Sequence, residues 1–175
     1  QLIDRFNHGE LMHADSIHFP DSLKYQTKKL ARTVYGGGGI MPDFFVPIDT
    51  TQYTDYHRNI VAKGVVIKTT MKFIESHRKE LQSKYKKFET FNDKFEISDE
   101  ILANMQTLAE QEKIKFDEKQ YQKSLPLIKT QLKALIARDL WDMNEYFQIM
   151  NTTDSSVLQA LKVLNEGAYE KVVRL

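Results

Sequence analysis

Cysteine is absent from the 175 residues of this chain, which excludes disulfide bonds, thiol nucleophiles and cysteine-ligated metal sites. Long apolar runs are also missing: each is far shorter than the ~20 residues that cross a bilayer, and no secretory signal stands at the start. The chain also lacks an excess of charge of either sign, because 25 basic and 24 acidic residues leave a net charge of +1. We therefore expect no membrane span and no nucleic-acid partner.

Proline and glycine are scarce beyond residue 50. Eight of the eleven fall in the first 47 residues, and only Gly64, Pro126 and Gly167 follow. This distribution predicts an irregular, strand-containing head over residues 1–50 and a helical domain over residues 51–175. The expected fold class is mainly α, or α+β when the strands are counted. Because the chain begins at Gln1, we interpret it as a fragment or a processed chain.

Three short runs in the head are typical of strands. Residues 22–27 and 32–36 carry β-branched and aromatic side chains on either side of a polar stretch, which predicts a hairpin. Residues 44–48 predict a third strand that ends at Pro47, because proline cannot donate to a β-ladder.

Helix signals dominate the body. Thr54 and Gly64 bound the first helix as N-cap and C-terminal glycine, and Ser98 caps a later one. Asp117 with Gln120 resembles a capping box. The helix that begins at this capping box is expected to kink or restart at Pro126 and to continue through residue 150. Residues 155–165 form the last predicted helix.

The second predicted helix, residues 65–85, is amphipathic. Its expected buried face carries five residues at helical spacing, namely Ile67, Met71, Ile74, Arg78 and Leu81. Phe88, Phe91 and Phe95 follow at intervals of three to four residues and predict a further helix.

Four consecutive glycines, residues 36–39, raise the question of a phosphate-binding loop. Such a loop needs a helix N-terminus immediately beyond the glycines, whereas Ile40, Met41 and Pro42 follow here, and strand-forming residues come next. Four flexible glycines lower the stability of the folded state through chain entropy. They therefore favour a structural corner with close backbone approach.

Histidines suggest a weak metal alternative. Histidine and carboxylate side chains alternate at His8, Glu10, His13, Asp15, His18 and Asp21. Five-residue spacing scatters ligands around a helix, so the pattern favours solvated or capping roles, with a metal site as the alternative. Two further histidines, His57 and His77, are expected on exposed helix faces. Ser16 and Ser22 lie near histidines in sequence only, which indicates no catalytic triad.

Charged residues surround the single tryptophan, Trp141. Arg138 and Asp142 stand four apart and predict an ion pair on one helix, with Leu135, Trp141 and Met143 in the core. A basic patch is formed by Arg78, Lys79, Lys84, Lys86 and Lys87. Patches of this size favour a solvated face over nucleic-acid contact. No complete active site emerges from these residues, and no cofactor or metal is expected.

The head nevertheless carries a recognisable pattern. It resembles a segment near the end of the catalytic domain in carboxyl-terminal processing (tail-specific) proteases, the S41 serine peptidases. Ten positions carry the motif: Tyr25, Thr27, Arg32, Gly36, Gly37, Gly38, Gly39, Ile40, Pro42 and Asp43. The match covers residues 15–50 and again 124–151, and resembles the long form of Bacteroidetes-type bacteria. Lys28 and Ala31 depart from the family's usual proline and glycine, and the loop is one residue longer.

The resemblance implies a serine endopeptidase that cleaves proteins near their C-termini with a serine nucleophile and a lysine base. Both catalytic residues would lie upstream, behind a PDZ module, so none is assigned to this chain and the isolated chain is expected to be inactive. Residues 1–50 would be the last strands of the catalytic core. Residues 51–175 would brace that core, mediate homo-oligomerisation or shape access for protein substrates. The family's location implies the periplasm or cell envelope.

An alternative of another class is a free-standing helical protein-interaction module without enzymatic activity. It accounts for the helical body and for the missing active site. It leaves the motif of the head unexplained.

Overall fold

The computed structural model of the chain describes residues 2–29, 31–36 and 42–173. Its mainly α class confirms the prediction, because these residues hold nine α-helices and one two-stranded sheet. The strands are β1 (Lys24–Gln26) and β2 (Thr33–Tyr35). The helices, in chain order, are α1 (Leu2–Asn7), α2 (Asp55–Ala62), α3 (Val65–Lys84), α4 (Phe88–Lys94), α5 (Asp99–Gln111), α6 (Glu118–Leu140), α7 (Met143–Met150), α8 (Ser155–Asn165) and α9 (Ala168–Val173).

Two compact units make up the chain. Thr50–Asp154 forms the helical unit, and the described residues before Thr50 and after Asp154 form the other unit. In the helical unit α6 packs on α2, α3 and α7, while α3 also packs on α5. The long helix α6 therefore lies at the centre of the core.

Aromatic rings fill much of that core. Phe91 is fully buried, stacks on Phe95 with ring centroids 4.6 Å apart, and meets Tyr85 edge-on at 5.5 Å. Trp141 lies 5.3 Å from the same ring. Such pairs stabilise a core beyond the apolar area that they bury.

The predicted N-caps are confirmed. The Thr54 hydroxyl accepts the His57 N–H at 3.3 Å, and Ser98 caps α5 by accepting the Ile101 N–H at 3.4 Å. Asp117 accepts the Gln120 N–H at 2.9 Å. These signals were readable because a cap satisfies helix donors only two or three residues away.

The predicted buried face of α3 is wrong in part. Ile67 is 46% exposed and Met71 is 60% exposed, whereas Thr69 and Thr70 are buried. Each threonine hydroxyl donates to a carbonyl of its own helix at 2.8 Å, so its polarity is satisfied locally and it can face the core. The buried face is therefore rotated by roughly a quarter turn from the predicted one, at about 100° per residue.

The helix predicted to run through residue 150 ends earlier. Pro126 lies inside α6 without ending it, while Trp141 leaves the helical region with φ −127° and ψ −99°. Asp142 then acts as the N-cap of α7 by accepting the Met143 N–H at 2.6 Å. Met143 is 45% exposed and is not part of the core, contrary to expectation.

In the head, the predicted hairpin is confirmed. β1 and β2 pair antiparallel with Tyr25 opposite Val34. The third predicted strand is wrong, because residues 44–48, all of them described, adopt no regular secondary structure. Pro47 supplies no N–H, and β1 and β2 pair only with each other among the described residues.

Candidate functional site

The hairpin brings several motif residues together. Beyond the last strand pair, the Thr27 N–H donates to the Arg32 carbonyl at 2.9 Å, and the Thr27 hydroxyl accepts the Arg32 N–H at 3.0 Å. Ala31, where the S41 peptidases that the motif resembles usually have glycine, has a positive φ of 46°. Thr27 and Arg32 thus close the loop between the two strands.

Arg32 also bridges the glycine run. Its guanidinium donates to the Asp43 carboxylate, and both side chains are about 40% exposed. The pair joins the residue immediately before β2 to the residue that follows Pro42. Because a guanidinium is planar and permanently charged, it can fix the relative position of the two segments. The ion pair therefore fixes Arg32 relative to Asp43.

Gly36 makes the close approach that the glycine run suggested. Its N–H donates to the Leu23 carbonyl at 2.7 Å. A Cβ atom added at Gly36 would lie 2.9 Å from Cε2 of Tyr25. The Tyr25 ring therefore covers this glycine. Gly37, Gly38, Gly39 and Ile40 lie outside the described residues.

The histidines of the head do not converge. His8 hydrogen-bonds through Nδ1 to the Asp4 carbonyl at 2.6 Å, while Glu10 pairs with Arg5 at 2.8 Å. Across the described ranges, no group of three or more histidine, aspartate or glutamate side chains is placed to hold a metal ion.

Two other histidines were placed wrongly on exposed faces. His57 is 3% exposed, and its Nε2 lies 2.9 Å from the Gln131 Oε1. His77 is half-buried, stacks on Phe73 at 4.4 Å, and bonds through Nδ1 to the Phe73 carbonyl. His57 is buried by a neighbour 74 positions away in sequence, and His77 is half-buried against Phe73; the local charge pattern reveals neither contact.

The charged group near Trp141 is organised differently from the prediction. The Arg78 guanidinium, from α3, donates to the Asp139 carbonyl at 2.9 Å and lies 3.5 Å from its carboxylate. Asp142 caps α7 instead of pairing with Arg138. The contact between Arg78 and Asp139 thus ties α3 to α6.

A shallow groove of about 220 Å³ beside Tyr85 and Trp141 opens next to the basic patch.

A buried hydrogen-bond network was missed by the sequence analysis. Ser124 is fully buried, donates to the Gln52 carbonyl at 2.6 Å, and lies 2.7 Å from the Thr54 hydroxyl. Gln120 accepts the Tyr56 N–H at 2.8 Å through its side-chain oxygen. We call these bonds the α2–α6 latch, since they hold the start of α2 against α6. They join residues more than 60 positions apart, beyond the reach of local patterns.

Tyr56, beside the latch, has a phenol whose pKa is strongly raised. Its ring is 2% exposed, meets Phe116 and Tyr121 edge-on, and its hydroxyl is buried without a partner in the described part of the chain. Burial, aided by the nearby Tyr121 and Glu110, raises the pKa of Tyr56 from 10.0 to about 12. The folded chain therefore keeps this proton at a pH where the unfolded chain has lost it.

Tyr56→Phe is expected to flatten the alkaline loss of stability. In the parent chain the raised pKa of Tyr56 contributes about 2–3 kcal/mol to the free energy of unfolding. This contribution is fully present below pH 10 and is lost as pH rises from about 10 through 12. At pH 7 the free energy of unfolding of the variant should match that of the parent or exceed it by up to about 1 kcal/mol, because a buried unpaired hydroxyl is removed.

Urea unfolding between pH 7 and pH 12 measures this difference in stability. Tyr25→Phe, at a ring that is 58% exposed, is the control. Equal alkaline losses in Tyr56→Phe and parent would contradict the assignment.

Comparison with known proteins places part of the helical unit in a family of sequences. Residues 56–142, just under half of the chain, match the model of a family of unknown function, DUF8443. The matched range runs from the first turn of α2 to the N-cap of α7, and so lies within the helical unit. No curated protein matches the chain significantly, and no solved structure does either. Among the described residues, no helix is both long and apolar enough to cross a membrane.

Proposed function

We propose that this chain is the C-terminal part of a carboxyl-terminal processing serine endopeptidase of the S41 type. The serine nucleophile and lysine base would lie upstream, and the peptidase would act on protein or peptide substrates in the periplasm or cell envelope. The head would complete the catalytic core, and the helical unit would brace it, mediate oligomerisation or shape substrate access. No residue of this chain is assigned a catalytic role.

The ion pair between Arg32 and Asp43 carries the proposal. These two residues belong to the resembling motif, lie eleven positions apart, and come together across the glycine run. Thr27 and Tyr25 of the same motif contact Arg32 and Gly36 respectively. Motif residues that meet at one corner are what a structural segment of a catalytic core would require.

The alternative, a helical interaction module without enzymatic activity, has its own support. The helical unit has its own buried core, and the family match falls inside it. Under this alternative the hairpin would serve as an accessory to the helical unit.

Arg32→Ala is expected to impair proteolysis without unfolding the chain. We expect kcat/KM of the complete gene product, measured on an unstructured protein with a free apolar C-terminus, to fall about ten- to a hundredfold, because a misplacement of about 1 Å can cost up to about a hundredfold. Stability of the 175-residue chain should change by less than about 1 kcal/mol, since the pair is well exposed. The charge swap R32D/D43R should restore part of the activity.

Arg58→Ala is the matched control. Arg58 also belongs to an exposed ion pair, with Asp55 on α2, and its loss should leave cleavage unchanged. Equal activity in Arg32→Ala and Arg58→Ala would contradict the positioning role of Arg32. Absence of any cleavage by the complete gene product would contradict the proposed function and favour the interaction module.

A further inference from the structure

A small pocket lies between α3 and α5, inside the helical unit, and shares no lining residue with the hairpin or the α2–α6 latch. Its volume of about 200 Å³ is below the ~300–1,000 Å³ of pockets for drug-sized ligands, so it suits a smaller molecule. Thr69 and Ile101, each 2% exposed, are the buried part of its lining. Phe73 adds half-buried aromatic surface.

Two hydroxyl groups of α3 line this pocket with their hydrogens already used. The Thr69 hydroxyl donates to the Val65 carbonyl at 2.8 Å, and the Ser76 hydroxyl donates to the Lys72 carbonyl at 3.3 Å. A hydroxyl has one hydrogen and two lone pairs, so each of these oxygens keeps only the capacity to accept. The backbone of α3 therefore makes both groups hydrogen-bond acceptors toward a ligand.

His77 supplies a third acceptor by the same principle. Its Nδ1 lies 3.0 Å from the Phe73 carbonyl oxygen, which can only accept, so Nδ1 carries the hydrogen of that bond. In the neutral ring Nε2 is then the unprotonated nitrogen, and no described residue bonds to it. The ring stacks on Phe73 with centroids 4.4 Å apart, which holds its orientation.

Two opposite charges complete the lining of the pocket. Lys72 belongs to α3 and Glu100 to the first turn of α5, and both side chains are exposed. In the described part of the chain they form no ion pair with each other or with a third side chain. The lining therefore combines one ammonium with one carboxylate and three neutral acceptors.

We propose that this pocket binds a small zwitterion, namely a free α-amino acid with a short side chain. The ligand's ammonium has three hydrogens to donate, and Glu100, His77 and a hydroxyl of α3 would accept them. Its carboxylate would meet Lys72, and its side chain would contact Phe73 and Ile101. The proposal goes beyond the proposed function and does not depend on proteolysis.

The same lining disfavours a simple ion of either sign. A phosphate or another anion needs several donors, whereas the pocket offers one ammonium and places the carboxylate of Glu100 beside it. A transition metal prefers three or more histidine, cysteine or carboxylate ligands, and the described residues contain no such group. Lys72 would also repel a metal cation. A zwitterion matches both charges at once.

Titration of the ¹⁵N-labelled 175-residue chain with L-alanine tests the proposal directly. We expect amide shifts to change at the residues that line the pocket, with a dissociation constant of about 1 mM, since few atoms make contact. N-acetyl-L-alanine lacks the ammonium and L-alaninamide lacks the carboxylate. Each should bind about three- to tenfold more weakly than alanine.

Charge-removing variants separate the two ends of the ligand. Glu100→Gln should weaken alanine binding about three- to fivefold and leave the affinity for N-acetyl-L-alanine unchanged. Lys72→Met should weaken alanine binding to a similar degree and leave the affinity for L-alaninamide unchanged. Glu75→Gln and Lys79→Met, at exposed residues of α3 that do not line the pocket, are the matched controls.

Three results would each overturn the proposal. They are no shift at the lining residues with alanine at about 20 mM, twentyfold above the expected dissociation constant, equal affinities for alanine and N-acetyl-L-alanine, and equal effects of Glu100→Gln and Glu75→Gln. All four substituted side chains are exposed, so the variants should fold, and urea unfolding checks this. Because these readouts use no proteolysis, the pocket and the proposed function can each fail without the other.

Discussion

Phe91→Ala is expected to destabilise the helical unit by about 3–5 kcal/mol, the range for removing a fully buried phenylalanine. The ring has no solvent exposure and is bounded by Tyr85, Phe95 and Trp141. These neighbours come from the two connections that flank α4 and from the residue after α6, so they cannot collapse together into the cavity. Domains of this size have only about 5–15 kcal/mol of stability in total. The expected loss is therefore a large share of the free energy of unfolding.

Urea unfolding followed by the fluorescence of Trp141, the single tryptophan of the chain, measures this effect. The ring centroids of Phe91 and Trp141 are 5.3 Å apart, so emission of the folded variant should also shift to longer wavelength. Phe147→Ala is the control, because that side chain is 53% exposed, and its loss should change stability by less than about 1 kcal/mol. Similar values for the two variants would contradict the core described above.

Thr54→Ala is expected to destabilise the chain by about 2–3 kcal/mol, since it removes a helix cap and breaks the latch at once. Ser124 donates to Gln52, so Thr54 is left to donate to the Ser124 hydroxyl while it accepts the His57 N–H. Alanine leaves the Ser124 oxygen buried with one bond fewer. Thr54→Ser keeps the hydroxyl and should change stability by less than about 1 kcal/mol.

A double-mutant cycle with Ser124→Ala separates the two contributions. The cap of α2 depends on Thr54 alone, whereas the bond between Thr54 and Ser124 appears as a coupling free energy of about 0.5–1.5 kcal/mol. Thr107→Ala is the matched control, because this threonine is exposed and bonds only within α5. Additive free energies for Thr54→Ala and Ser124→Ala would contradict the hydrogen bond across the latch.

Local signals in the sequence were sufficient for the helix starts and for the hairpin. Thr54 and Ser98 satisfy donors within their own first turn, so their roles follow from sequence spacing alone. The break at Trp141 was also local, yet it was missed. Asp142 was interpreted as a helical partner of Arg138, although an aspartate is equally suited to begin a new helix.

Long-range contacts account for the remaining differences. His57 is buried by a contact with Gln131, and Ser124 by contacts with residues near position 53, and no periodicity reports such partners.

The coding sequence immediately upstream of Gln1 tests the central claim most directly. The account predicts a PDZ-like module followed by a serine and then a lysine, each in a strand–helix context, which would supply the nucleophile and base of an S41-type peptidase. A start codon or a signal-peptide cleavage site directly before Gln1 would leave no nucleophile. That result would contradict the protease assignment and leave a helical interaction module that carries a protease-like hairpin.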